Sequence, residues 1–273
     1  MRRQGAWSVG LLAALGALPA LGVPPAEPPV RFLVTESATL PLARVERQAG
    51  GTMRLVDGIL LDWQQALARG LGRPAEFVIV PRRREEAAIA AGQADVRCTM
   101  SPEWVSPAAR DDYLWPSPWL QVREVLVGPV GTAALRDESA FKGQRVGTVA
   151  GYHYPRLEPH FAAGRLVRDD APTEAAALGK LQRGHLALGV MREMDLHYLR
   201  QRPADGVRLE SSAFIINAVP MHCGVARRGS VRLDRFEAVQ QQLFQAGVLQ
   251  QIARRYLGNS PANEAFGAPR GRP

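Results

Sequence analysis

Cysteine is nearly missing from this 273-residue chain, which carries only Cys98 and Cys223. Two distant thiols exclude a cysteine-dense disulfide scaffold and the paired C-x-x-C of zinc ribbons and redox sites. Lysine is almost as scarce, Lys142 and Lys180 among 34 basic residues; with abundant Ala, Gly and Pro, the arginine bias looks like GC-rich coding. No G-x-S-x-G, H-E-x-x-H, P-loop or G-x-G-x-x-G occurs, so the sequence offers none of the usual hydrolase, zinc-protease, nucleotide or dinucleotide signatures. The five histidines (His153, His160, His185, His197, His222) lack metal-ligand spacing on any expected helix. Asp111-Asp112 and Asp169-Asp170 fall in polar loops, where adjacent carboxylates read as solvated turn residues and not as an acid pair. No metal and no cofactor are expected.

Long apolar runs are also absent beyond the start of the chain, and nothing approaches the roughly 20 residues of a spanning helix. What the start does carry is an export pattern: Arg2 and Arg3, a short apolar run over 9–21, and small residues at Ala20 and Gly22. A signal peptide over 1–22, cleaved near Gly22, implies an exported, soluble product in the periplasm. No cysteine lies near that cleavage site, which argues against a lipid anchor. The formal charge of +8 loses two with Arg2 and Arg3 and is scattered, so nucleic acid is not an expected partner. In an oxidising compartment Cys98 and Cys223 can bridge or can be two buried small side chains; both readings stay open.

Periodicity divides the mature chain into two α/β units. A strand over 30–35 is followed by a polar loop through Gly51 and Gly58. A helix from about Leu60 places Leu60, Trp63, Leu67 and Leu71 on one face and ends at Gly72. Strands over 76–80 and 94–99 enclose a helix over 85–91, and a strand over 123–128 leads away. A second series follows: strand 145–149, a helix within 154–163, strand 166–168, helix 174–183 and strand 186–191. A strand over 223–227 returns to the first unit, and two helical stripes, split at Gly247, close the chain. The expected division is lobe one over 23–126 plus 222–258, lobe two over 127–221, and a flexible Pro- and Gly-rich tail over 259–273. Two chain crossings between lobes make a hinge, suited to closure on a small ligand.

Several ordered pieces resemble the family 3 extracellular solute-binding proteins, the amino-acid-binding components of ABC importers. They are Gly58-Ile59-Leu60-Leu61-Asp62, Ala91-Gly92-Gln93-Ala94-Asp95, Arg110 with the segment 113–119, the run 141–149, and Leu181-Gln182-Arg183-Gly184. The resemblance implies a two-lobed periplasmic-binding-protein-like type II fold, each lobe a mainly parallel sheet flanked by helices and joined by two hinge strands. It also implies that Arg110 grips a ligand carboxylate with its guanidinium fork; the rival reading is a surface pair with Asp111 or Asp112. Two positions depart from the family. Its amino-group aspartate falls on Arg192 beside Glu193, and its aromatic clamp falls on Arg82. Both add positive charge and favour an anionic or carboxylate-bearing solute.

Strand-end logic adds Glu36 and Ser37 after the first strand, Thr99 and Ser101 at the third, and Gly151 with Tyr152 after the first strand of lobe two. Gly151 would let a ligand approach the backbone. The expected function is capture of an amino acid or organic acid, as a monomer, for an ABC permease in the inner membrane, without catalysis. The alternatives are a cyclohexadienyl dehydratase-like enzyme on the same scaffold, using Glu193 or His153 as acid, and a freestanding ligand sensor.

Overall fold

A computed structural model describes residues 27–132, 135–202 and 208–267; the expected presequence lies outside them. β1 (Val30–Thr35) is apolar on both faces, sending Phe32 and Val34 into one cluster and Leu33 into another. Such a strand belongs in the interior of a sheet, and it pairs in parallel with β4 (Ala75–Val80) and with β5 (Val96–Met100). The stretch before α1 (Ile59–Gly70), expected to be a loop, holds a hairpin of β2 (Arg44–Arg47) and β3 (Met53–Asp57). Strands of four and five residues carrying charged side chains are too short to show an alternation.

Helix α1 buries the expected face, Leu60, Trp63 and Leu67, and Trp63 stacks on Trp119 and Phe244. Its start requires glycine: Gly58 has φ 118°, and a Cβ there would lie 2.4 Å from the Leu42 carbonyl oxygen. After the 3-10 turn Arg82–Arg84 come α2 (Glu85–Ala90), α3 (Pro107–Arg110), β6 (Tyr113–Leu114) and β7 (Leu120–Gly128). The second unit is β8 (Gln144–Val149), α4 (Glu158–Ala162), β9 (Leu166–Ala171), α5 (Glu174–Gln182), β10 (Leu188–Arg192) and α6 (Glu193–Arg200). A 17-residue strand, β11 (Glu210–Ala226), then leads to α7 (Leu233–Gln245) and α8 (Val248–Leu257).

The sheet order among the described residues is β4-β1-β5-β11-β7-β10-β8-β9, with β6 also on β11. Strand β11 pairs with β7 from Glu210 to Met221 and with β5 and β6 from His222 to Ala226. It therefore belongs to both halves, and β7 and β11 are the antiparallel crossing strands. The architecture is a two-lobed α/β fold, each lobe a mainly parallel sheet flanked by helices. Sequence periodicity finds only the last part of β11, because Pro220 cannot donate to a ladder and reads as a strand break; it pairs opposite Gln121.

Two ties hold lobe one together. Asp95 is fully buried and accepts from the Arg31 backbone N–H (2.8 Å), the Arg31 guanidinium (2.9 and 3.1 Å) and the Ser230 N–H (2.7 Å). Burial works against its ionisation, but the Arg31 and Ser230 bonds outweigh it and hold the carboxyl below the ordinary range. In addition, Cys98 on β5 and Cys223 on β11 lie with their sulphurs 2.13 Å apart, closing a span of 125 residues that contains the whole of lobe two.

The segment after Gly258 corrects the expectation of a flexible tail. Residues 261–265 form a 3-10 turn, Phe266 is buried against Trp119, and the Gly267 N–H donates to the Trp119 carbonyl at 2.8 Å. One buried aromatic side chain outweighs the Pro and Gly content around it. Residues 268–273 lie outside the described residues.

Replacing Asp95 with Asn should cost about 2–4 kcal/mol of stability by urea unfolding at neutral pH, because it strips the charge from a buried paired network. A depressed carboxyl stabilises above its unfolded value and loses that contribution as pH falls through its folded value, so the difference between Asp95→Asn and the parent should shrink below about pH 4. Reduction of the Cys98–Cys223 bridge should lower the melting temperature in differential scanning calorimetry, with a free-energy loss of about 4–5 kcal/mol for so long a loop on the chain-entropy account.

Candidate functional site

The ends of β8 and β10 and the first turns of α5 and α6 converge on one cavity of ≈ 130 Å³. Lobe one contributes Thr39 and Leu40 from the segment after β1, and the crossing strand β7 contributes Glu124. These elements bring Glu124, Glu174, Arg192 and Asp195 together with Tyr152 and Tyr154 on its wall. The remaining wall is aliphatic and includes Val149, Leu178, Val190, Met191 and Leu199.

Local sequence explains the placement. Thr173 caps α5 by accepting from the Ala176 N–H, which puts Glu174 at the first helical position. Asp195 is likewise in the first turn of α6, and helix N-termini favour carboxylates. Arg192 ends β10 between them: its Nε donates to Asp195 at 2.8 Å and its Nη2 to Glu174 at 2.8 Å. Burial opposes the charge on Arg192, but Asp195 and Glu174 outweigh it and hold the guanidinium protonated. Burial pushes the Asp195 carboxyl up to about 7, with Arg192 pulling down and Glu174 and Glu124 adding to the rise. Burial also raises Glu124, which Arg192 opposes and whose hydrogen bond is a 3.4 Å contact from the Asn217 amide.

The two lobes touch at the cavity. Thr39 Oγ1 lies 3.4 Å from Glu174 Oε2, and the Arg82 guanidinium of lobe one lies 4.3 Å from the ring centre of Tyr152 in lobe two. Burial and the nearby Glu174 push the Tyr152 hydroxyl up, with Arg82 pulling down. Arg82 is exposed and makes no ion pair among the described residues.

Of the sequence candidates, Tyr152 lines the cavity and Arg82 lies over the Tyr152 ring. The others lie off its wall. Glu36 and Ser37 are exposed, and Thr99 is half-buried. Ser101 is fully buried and its hydroxyl accepts from the Glu103 N–H. Arg110 ends α3 in solvent. Gly151 has φ 77° with open space around it, and Glu193 pairs with Arg123 at 3.4 Å. Arg192 adds no spare positive charge, because two carboxylates neutralise it.

Sequence reasoning did not select Glu124, Glu174 or Asp195. Glu124 did carry a signal, a lone acid inside the apolar strand R-E-V-L-V-G; Glu174 and Asp195 show only the ordinary preference of acids for first helical turns. A larger hollow of ≈ 480 Å³ beside β3, α1 and β4 is lined by lobe one alone, with Arg54 its single charged group.

No protein-family model and no curated protein matches the chain at the sequence level. Solved structures do. The chain is similar to an ancestral arginine-binding protein bound to arginine, with TM-score 0.66 and 18% identity over 84% of this chain and 98% of that one. It is similar to a periplasmic binding protein of Salmonella typhimurium with high arginine specificity, TM-score 0.64 and 12% identity over 85% and 100%. It is also similar to the unliganded, open L-cystine solute receptor of Neisseria gonorrhoeae, TM-score 0.58 and 18% identity over 85% and 93%. The fold is that of the periplasmic binding proteins. In a binding-protein fold the cavity between lobes is the place where a ligand can bridge both halves, and among the described residues this chain's charged cluster lies there.

Replacing Arg192 with Met leaves Glu174 and Asp195 without their cation and should cost about 3–5 kcal/mol in urea unfolding near pH 8. The loss should be smaller near pH 6, because Asp195, already raised, can then take up a proton and shed its unpaired charge.

Proposed function

We propose that the chain is the solute-capturing component of an importer: a periplasmic protein that closes its lobes on a small amino-acid-like solute and delivers it to an ABC permease. In this reading residues 1–22 are removed on export, lobe one is 23–126 plus 222–258, lobe two is 127–221, and the protein acts as a monomer. The observation that carries it is the cavity walled by both lobes, with Arg82 stacked over Tyr152 at one side and acidic groups within. Arg82 supplies an unpaired guanidinium for a ligand carboxylate, and the acids supply acceptors for an ammonium. Binding energy drawn from both lobes together favours the closed arrangement only when ligand bridges them. The similar proteins of known structure are named for binding amino acids, which supports the same class of solute here.

One observation keeps the enzyme reading in view. A buried carboxyl in a cavity, as at Asp195, is what a proton-donating dehydratase on this scaffold would also need. Turnover of prephenate or arogenate by purified protein would establish it, whereas saturable binding without turnover supports capture.

In a thermal-shift screen of amino acids, dicarboxylates and aromatic acids, a ligand should raise the melting temperature, since it binds the folded state alone. Arg82→Ala should cut that shift sharply by removing the carboxylate partner. Arg110→Ala, in solvent off the cavity wall, should change it much less; equal losses would remove Arg82 from the role.

A further inference from the structure

We propose that the cavity selects a solute of net positive charge, with its cationic end held between Glu124 and Asp195 and its aliphatic part along Leu178, Val190 and Leu199. This deepens the capture reading and rests on it. Inside the cavity three carboxylates, Glu124, Glu174 and Asp195, face one guanidinium, Arg192. Arg82, over the Tyr152 ring, adds a second cation beside it. With all three acids ionised the site is one negative charge in excess, and a ligand carrying one net positive charge balances it.

The distribution of partners points the same way. Arg192 is occupied, Nε by Asp195 and Nη2 by Glu174, so it offers little to an incoming anion. Glu124 has no ion-pair partner among the described residues and only the 3.4 Å amide contact from Asn217. Asp195 is 8% exposed, and its Oδ1 is buried with no hydrogen-bond partner among the described residues. A buried carboxylate oxygen without a donor is costly unless something supplies one. An ammonium or guanidinium carries several donors and the missing charge. An acidic solute would instead meet three like charges in a confined, largely apolar space. The aliphatic wall suits the methylene stem that joins such a cation to a carboxylate at Arg82.

Titration supports the geometry. Burial raises both Glu124 and Asp195, so the cavity partly holds protons where a cation would neutralise it. The groups facing them are Arg192 and Glu174, with Tyr152 and Tyr154 on the wall and Arg82 over the Tyr152 ring. A cationic ligand must displace those protons, so its affinity rises with pH through this range, while that of a neutral ligand does not.

The test is isothermal titration calorimetry on the mature chain with matched pairs: L-lysine against L-norleucine, L-arginine against L-citrulline, and L-glutamate as the anion. The cationic member of at least one pair should bind at least about tenfold tighter than its neutral isostere, with affinity rising from about pH 6 to about pH 8. Glu124→Gln should erase that preference while leaving the unliganded melting temperature equal or higher, because it replaces a half-buried, unpaired charge with a neutral group of similar shape; Asp195→Asn is the second variant should Glu124→Gln fail to fold. Tightest binding of the neutral members or of L-glutamate, or a cation preference that survives both substitutions, overturns the proposal and leaves solute capture standing. If no amino acid, dicarboxylate or aromatic acid of any charge binds, solute capture fails and the charge preference fails with it.

Discussion

The antiparallel ladder between β7 and β11 is the constraint on which the rest of the molecule depends. The pairing runs from Glu210↔Gly128 to Met221↔Leu120, interrupted by irregularities between Ser211 and Ile215 and between Ile215 and Asn217. Beyond Met221 the same strand β11 turns to β5 and β6, so one continuous backbone belongs to both lobes. Everything on the lobe-one side of the crossing is tied down: Trp119 within the aromatic stack, Cys223 beside Cys98, and Phe266 covering the start of β7. On either side of this firmly rooted pair of crossing strands each lobe has its own core.

The cavity shows the opposite economy. In lobe one the buried Asp95 is satisfied by four hydrogen bonds, whereas the cavity gathers three carboxylates around one arginine and, among the described residues, leaves Asp195 Oδ1 without a donor. An uncompensated buried charge is expensive, and a fold selected for stability alone would replace it with apolar side chains. Its persistence at the meeting of two lobes is what a binding site requires, since a site that satisfies itself has nothing left for a ligand. Glu124 itself stands on the crossing strand β7.

Much of the fold was legible because apolar periodicity is local. Leu60, Trp63 and Leu67 mark one face of α1, Gly72 and Gly247 mark helix ends, and the stripes of α7 and α8 lie where Phe236, Val239, Leu249 and Ile252 put them. The β2–β3 hairpin, α6 and most of β11 were not legible, being too short or, with Pro220, disguised. The site was less legible still. Strand-end and family logic point to Tyr152, on the cavity wall, and Arg82, over its ring, whereas Glu124, Glu174 and Asp195 come from strand β7 and two separate helices.

The sequence by itself determined the two α/β units, their interruption and return, and the absence of recognised catalytic and metal motifs, because these follow from spacing along the chain. Only the tertiary structure decided that Arg192 is neutralised by Glu174 and Asp195, that Phe266 anchors the chain's end, and that the cavity is acidic. Net charge in a pocket depends on which distant side chains converge there and which of them spend their charge on each other. That pairing is a property of three-dimensional distance, and no spacing in a one-dimensional sequence encodes it.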